Sequence, residues 1–191
     1  MRYREACMKF LSTLLLFVFA TAALRAQDTS KVEPLDGANR PLQDSLLEQL
    51  VGHWQVNRVI RGASAGSTVD ASWVLNHQFV QFHYLPDRAS KQPYEAIVYI
   101  GYDNMSDRYV VHWLDIFGGR VSETMGFGSR TPDGMRFVFE YPDGPFTNTF
   151  TFDPASRGWN LLLRQKNARG QWTTFATEQW RRAQQRDMTS P

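Results

Sequence analysis

YEAIVYIGYDNMSDRYVVHWLDIFGG, residues 94–119, is the stretch whose reading decides the fold. Apart from Glu95, residues 94–102 are aromatic, β-branched or otherwise apolar, 103–107 supply turn formers, and 109–116 return to strand composition before Gly118-Gly119. Two extended runs joined by so short a polar link make a β-hairpin. Both faces of its second run are apolar, with Tyr109, Val111 and Trp113 set against Val110, His112 and Leu114, so alternation does not choose the inner face. We expect Tyr109 and Trp113 to point inward and His112 to be a bystander.

Outward from this hairpin the same pattern repeats. Strand composition recurs at 54–61, 67–76, 77–84, 94–102, 108–116, 120–127, 135–141, 146–152, 158–165 and 171–180. Between these runs, 62–66, 86–92, 103–107, 132–134, 142–145, 153–154 and 167–170 carry residues that preset a turn or tolerate positive φ. Asn76-His77 offers little turn chemistry, so 67–84 reads either as two strands or as one strand bent by a bulge. About ten short strands with short links and no crossover helices imply antiparallel neighbours, and closure would remove the exposed edges. The expectation is all-β: a single closed antiparallel up-and-down barrel of about ten strands, with an open sandwich as the alternative. The 14% aromatic content, lying mostly in alternating runs, supports that class.

One short helix precedes the strands. Pro41, Asp44, Leu46, Leu47 and Leu50 followed by Gly52 carry start, apolar-face and stop signals, and so short a helix must pack on something; plugging one end of the barrel is the obvious use. Upstream, a basic start, the apolar block 10–23 and small residues up to Ala26 fit a secretory signal peptide cleaved near Ala26-Gln27, too short to span a bilayer, which takes about 20 residues. The expected organisation is a signal peptide at 1–26, a flexible leader at 27–42, the barrel at 43–183 and a disordered tail at 184–191. Secretion or a periplasmic location follows, with no stable membrane anchor after cleavage. Cys7, the only cysteine, would leave with the peptide. Of 21 basic and 19 acidic residues, four and one fall in that peptide, leaving 17 against 18; with no basic run beyond Arg181-Arg182, nucleic acid is not an expected partner.

Period-two alternation then selects the interior. Phe137, Phe139 and Tyr141 oppose Arg136, Val138 and Glu140; Phe146, Asn148, Phe150 and Phe152 oppose three threonines; Trp159, Leu161 and Leu163 oppose Asn160, Leu162 and Arg164. Trp54, Val56, Arg58 and Ile60 share a face, and Glu123 shares one with Val121, Met125 and Phe127. Arg58, Glu123 or Asn148 among apolar residues would be polar anchors in a greasy pocket. The structural alternatives are that Arg58 and Glu123 pair with each other or snorkel to the rim, and that Asn148 bonds strand backbone at a bulge.

In a closed barrel the first and last strands are neighbours, so Trp54 near one end and an arginine of Arg181-Arg182 near the other can stack. Leu50-Val51-Gly52-His53-Trp54, Gly101-Tyr102-Asp103, Tyr109, Trp113 and the stretch 175–182 together resemble an uncharacterised lipocalin-like (calycin-type) family of secreted bacterial proteins, and more distantly the lipocalin and fatty-acid-binding-protein barrels. The resemblance spans roughly residues 46–182. It implies an antiparallel calycin-like barrel, and for Arg58 the holding of a carboxylate; no activity is implied.

The expected function is binding of a small, largely apolar ligand in the interior, with Trp54, Arg58, Tyr109, Trp113, Glu123, Phe137, Phe139, Asn148, Phe150 and Trp159 as candidate ligand-binding residues. The alternatives are a solid-cored structural or interaction domain acting through rim loops such as 86–92, and a haem-binding or enzymatic barrel. Neither catalytic residues nor a cofactor is assigned. His53, His77, His83 and His112 lack metal-ligand spacing, and His77 and His83 would stand about 20 Å apart on one strand. A haem reading needs His112 in the pocket, while the late strands hold no histidine of the kind that the nitrobindin-type pattern needs. No G-x-S-x-G elbow supports a hydrolase.

Overall fold

The computed structural model describes residues 40–87 and 93–183. The expected signal peptide, residues 27–39 of the leader, residues 88–92 of the loop at 86–92 and the tail lie outside the described residues.

Ten strands follow one short helix, α1 (Ser45–Glu48): β1 (Gly52–Ile60), β2 (Ala63–Val74), β3 (Phe79–Leu85), β4 (Ala96–Asp103), β5 (Arg108–Asp115), β6 (Gly126–Thr131), β7 (Gly134–Tyr141), β8 (Gly144–Asp153), β9 (Gly158–Lys166) and β10 (Trp172–Arg182). Each strand pairs antiparallel with its neighbour in sequence, and β1 pairs with β10 from Trp54↔Arg182 to Ile60↔Ala176, closing an up-and-down barrel. The opening hairpin is β4–β5, paired from Ala96↔Asp115 to Asp103↔Arg108.

The expected strand at 120–127 is a correction. β5 and β6 pair over only Tyr109↔Gly128, Val110↔Phe127 and Val111↔Gly126, and the chain between them forms a single helical turn, α2 (Gly119–Ser122), entered through Gly118 at φ 82. Alternation failed here because the apolar residues do not share a pleat: Val121, Met125 and Phe127 are all exposed. Phe127 keeps its place outside by lying 3.9 Å beneath the Arg108 guanidinium. The other differences are at turns. Arg61 and Gly62 alone turn the chain from β1 to β2, both left-handed, so residues 63–66 are strand. At the open boundary near His77, the chain turns rather than bulging: Leu75, Asn76 and His77 are all left-handed, held by His77 stacked at 3.9 Å on Trp73 and by its Nδ1–H donating to the Leu42 carbonyl at 2.9 Å.

α1 does plug one end of the barrel. Leu47 and Leu50 are fully buried, Trp54 Nε1 donates to the Leu50 carbonyl at 2.7 Å, and Trp159 Nε1 to that of Gln49 at 3.2 Å. The first and last strands meet as expected, through Arg182: its guanidinium lies 4.0 Å from the Trp54 ring and donates to the carbonyls of Val51 and Gln49. Gly52 makes room for it, since a Cβ there would fall 2.0 Å from Arg182 Nη1 and the backbone sits at φ +135.

Asp44 caps the plug. Its Oδ1 accepts from the backbone N–H of Leu46 (2.8 Å) and Leu47 (3.1 Å) and pairs with Arg130 (2.8 Å), while Oδ2 accepts from the Tyr109 hydroxyl (2.6 Å). Partial burial pushes its carboxyl up, but the hydrogen bonds from Tyr109, Leu47 and Leu46 and the Arg130 charge outweigh that and hold it below its ordinary value of 3.8. A depressed folded pKa contributes stability above the unfolded value and loses it as pH falls through the folded one. Asp44→Asn, which retains a capping oxygen, should therefore flatten the loss of stability as the pH falls below about 4. Urea midpoints of both proteins across that range check this; parallel curves would show that the carboxylate contributes nothing.

Candidate functional site

The barrel is solid at its plugged end and hollow at the other. Around Trp54, Trp180, Phe82, Phe137 and Phe150 rings pack against one another, with Phe82–Trp180 at 5.3 Å and Phe137–Phe150 at 5.8 Å, both edge-on. Towards the far end of β1, around Arg58 and Ile60, the interior opens into a cavity of about 840 Å³. Its wall includes Tyr94, Trp113, Phe139, Phe146, Leu163 and Phe175, and Ile116, Phe117 and α2 border its mouth. The volume lies within the roughly 300–1,000 Å³ usual for small-molecule sites, and the lining is predominantly apolar.

The predicted site residues divide between the two halves. Arg58, Trp113, Phe139 and Asn148 line the cavity; Trp54, Tyr109, Phe137, Phe150 and Trp159 are buried but belong to the packed half. Tyr109 and Trp113 do point inward, and Trp113 Nε1 donates to the Tyr94 hydroxyl at 2.8 Å. Tyr109, at the inner edge of the plug, has its hydroxyl pushed up to about 12 by burial and by its bond to Asp44. Glu123 also borders the cavity, but from its mouth: it ends α2 as an exposed residue and does not share an inner strand face, which corrects its expected placement. His112 lies on the outer face, where its Nε2–H donates to the Ser122 carbonyl at 2.7 Å, so it is not placed to meet a ligand in the barrel.

Arg58 is paired, but with Glu178 and not with Glu123. The two face each other across the β1–β10 ladder, 5% and 2% exposed, with Nε donating to Oε1 at 2.7 Å. Glu178 Oε2 accepts from the Tyr84 hydroxyl (3.1 Å) and from Trp180 Nε1 (2.8 Å). The guanidinium lies 5.0 Å from the Tyr84 ring and 4.3 Å from that of Tyr94. Burial works against the charge on Arg58, but the Glu178 carboxylate beside it holds its pKa above the ordinary value. Desolvation next to Glu178 pushes the Tyr84 hydroxyl far up, so it acts as a donor. Nearer the mouth, Asp115 accepts from the Tyr94 hydroxyl at 3.3 Å, and partial burial raises its carboxyl.

Two residues of the cavity wall each carry a buried polar atom with no hydrogen-bond partner among the described residues: Arg58 Nη2 and Asn148 Oδ1. The expected bond from Asn148 to strand backbone is therefore absent for its carbonyl, and there is no bulge at that point: β8 pairs in unbroken register with β7 and β9 through Phe137↔Asn148 and Asn148↔Leu163. Buried polar groups are normally satisfied, so such orphans ask for an explanation.

Compared with known protein families and with curated proteins, the chain matches neither any family model nor any curated sequence. Function therefore has to be argued from the cavity itself.

Sequence reasoning missed Glu178, Tyr84 and Asp115. The signal for Glu178 was present in Ala176-x-Glu178-x-Trp180, an inward parity running back from the tryptophan, but a register shift between Thr174 and Ala176 breaks that parity before it reaches Phe175.

Proposed function

We propose that this protein is an exported binding protein of the lipocalin-like kind, which holds a small, largely apolar molecule in the open half of its barrel. The observation that carries the reading is the cavity of about 840 Å³, open at its mouth, walled by aromatic and aliphatic side chains together with Arg58 and Asn148, each of which has an unsatisfied polar atom. A core that existed only for stability would be filled to native density, without a cavity of this size. The tryptophan–arginine junction of Trp54 and Arg182 supports the lipocalin-like comparison, and the basic start and apolar block of residues 1–26 support export.

The test is titration of the protein with N-phenyl-1-naphthylamine, an apolar dye that brightens on leaving water. Saturable binding is expected. Ala176, buried and lining the cavity, is the place to fill it: Ala176→Phe should weaken dye binding about tenfold or more, since ring volume would displace the dye's own apolar contacts. Unchanged binding by a folded Ala176→Phe protein would place the dye elsewhere and count against the cavity. Native mass spectrometry after incubation with a cell lipid extract would then reveal what is retained.

A further inference from the structure

We propose that the ligand is uncharged, with a polar end that both donates and accepts hydrogen bonds, such as a hydroxyl or a carboxamide, and is not a carboxylate. The proposal rests on the cavity reading above and specifies its chemistry. An arginine deep in an apolar barrel suggests an anion site, but here the charge is already matched. Glu178 stands opposite Arg58 in the ladder, bonded at 2.7 Å, and both are buried. The two tyrosine rings lie against the guanidinium, Nε is used by Glu178, and the Nη2 amino group is left without a partner among the described residues. That group asks for an acceptor and does not need a negative charge.

The rest of the wall points the same way. Asn148 Oδ1, 2% exposed and without a partner, asks for a donor, which an ionised carboxylate does not have. An entering carboxylate would also share the interior with Glu178 and Asp115, while Arg58, the one buried cation among the described residues, is committed. At the mouth, exposed Arg120 and Lys166 are balanced by Glu123 and Asp143, so the rim supplies no net attraction for an anion. A neutral head that donates and accepts offers the kind of partner that each orphan atom lacks without leaving a charge desolvated.

Competition against bound N-phenyl-1-naphthylamine by four ten-carbon compounds at about pH 8, where the acid is ionised, separates the possibilities. Decan-1-ol and decanamide should displace the dye at concentrations about tenfold or more below those of decanoate and decylammonium, reflecting the cost of burying an unmatched charge. Decanoate or decylammonium competing as well as the alcohol would overturn the proposal while leaving the cavity reading intact. Failure of the dye to bind, or of all four to displace it, would overturn the cavity reading and the proposal with it. Glu178→Gln keeps the shape but frees the Arg58 charge, and should reverse the order in favour of decanoate; a folded variant that still prefers the alcohol would count against the proposal. The wild-type series decides the matter if that variant does not fold.

Discussion

Glu178→Leu should lower folding stability by about 3–5 kcal/mol, the range for breaking a buried ion pair by removing one partner. The size follows from what the substitution strands. Arg58 is 5% exposed and cannot be deprotonated, so it would keep a full charge among the rings of Tyr84 and Tyr94. The Tyr84 hydroxyl and Trp180 Nε1, both donors to Glu178 Oε2, would lose their acceptor at the same time. Removing the whole arrangement is a different matter. An Arg58→Met, Glu178→Leu double variant removes both charges of the pair, and it should recover most of the loss, ending within about 2 kcal/mol of the wild type. Urea unfolding of the two single variants and the double variant, read as a double-mutant cycle, measures this. A loss below about 1 kcal/mol for Glu178→Leu would mean that Arg58 reaches solvent through the cavity, and the pair would then behave as an exposed one.

The pair also illustrates where sequence reading stopped. Strand alternation placed Arg58 inside because Trp54, Val56 and Ile60 share its parity, and that holds wherever one face of a regular strand is buried. It placed Phe137, Phe139, Asn148, Phe150 and Trp159 inside for the same reason, and all five are buried. The partner of a buried charge is a different kind of question. Arg58 and Glu178 lie 120 residues apart in sequence and meet only because the barrel closes in one particular register. Glu123 had the better local pattern, apolar at every second position, yet a chain that leaves the sheet at Gly118 no longer obeys a period of two. Periodicity also says which residues face inward but not at what height they sit. That is why Trp54 and Tyr109 beside the plug and Trp113 at the cavity looked alike in sequence. The level depends on stagger between strands and on α1 occupying one end only.

That difference in level makes Trp54→Ala a test of how independent the two halves are. Trp54 is fully buried where α1, β1 and β10 converge: it donates to the Leu50 carbonyl, lies beneath Arg182, and stands 6.0 Å from the Trp180 ring. Truncation to alanine should cost about 3–5 kcal/mol, combining lost transfer energy, an unfilled hole and a buried carbonyl without its donor. Trp54→Phe, which keeps a ring for Arg182 but loses the hydrogen bond, should cost about 1–2 kcal/mol. The loss should be local in its consequences. Amide exchange should quicken at Leu47, Leu50 and along the first rungs of the β1–β10 ladder, because these depend on the same junction. Arg58, Trp113 and Asn148 at the open half do not contact it through any hydrogen bond of Trp54, so the Trp54→Ala protein, while folded, should bind N-phenyl-1-naphthylamine with nearly wild-type affinity. Dye binding lost in step with stability would instead mean that the plug holds the cavity in shape. The solid half would then be part of the binding site and not merely its support.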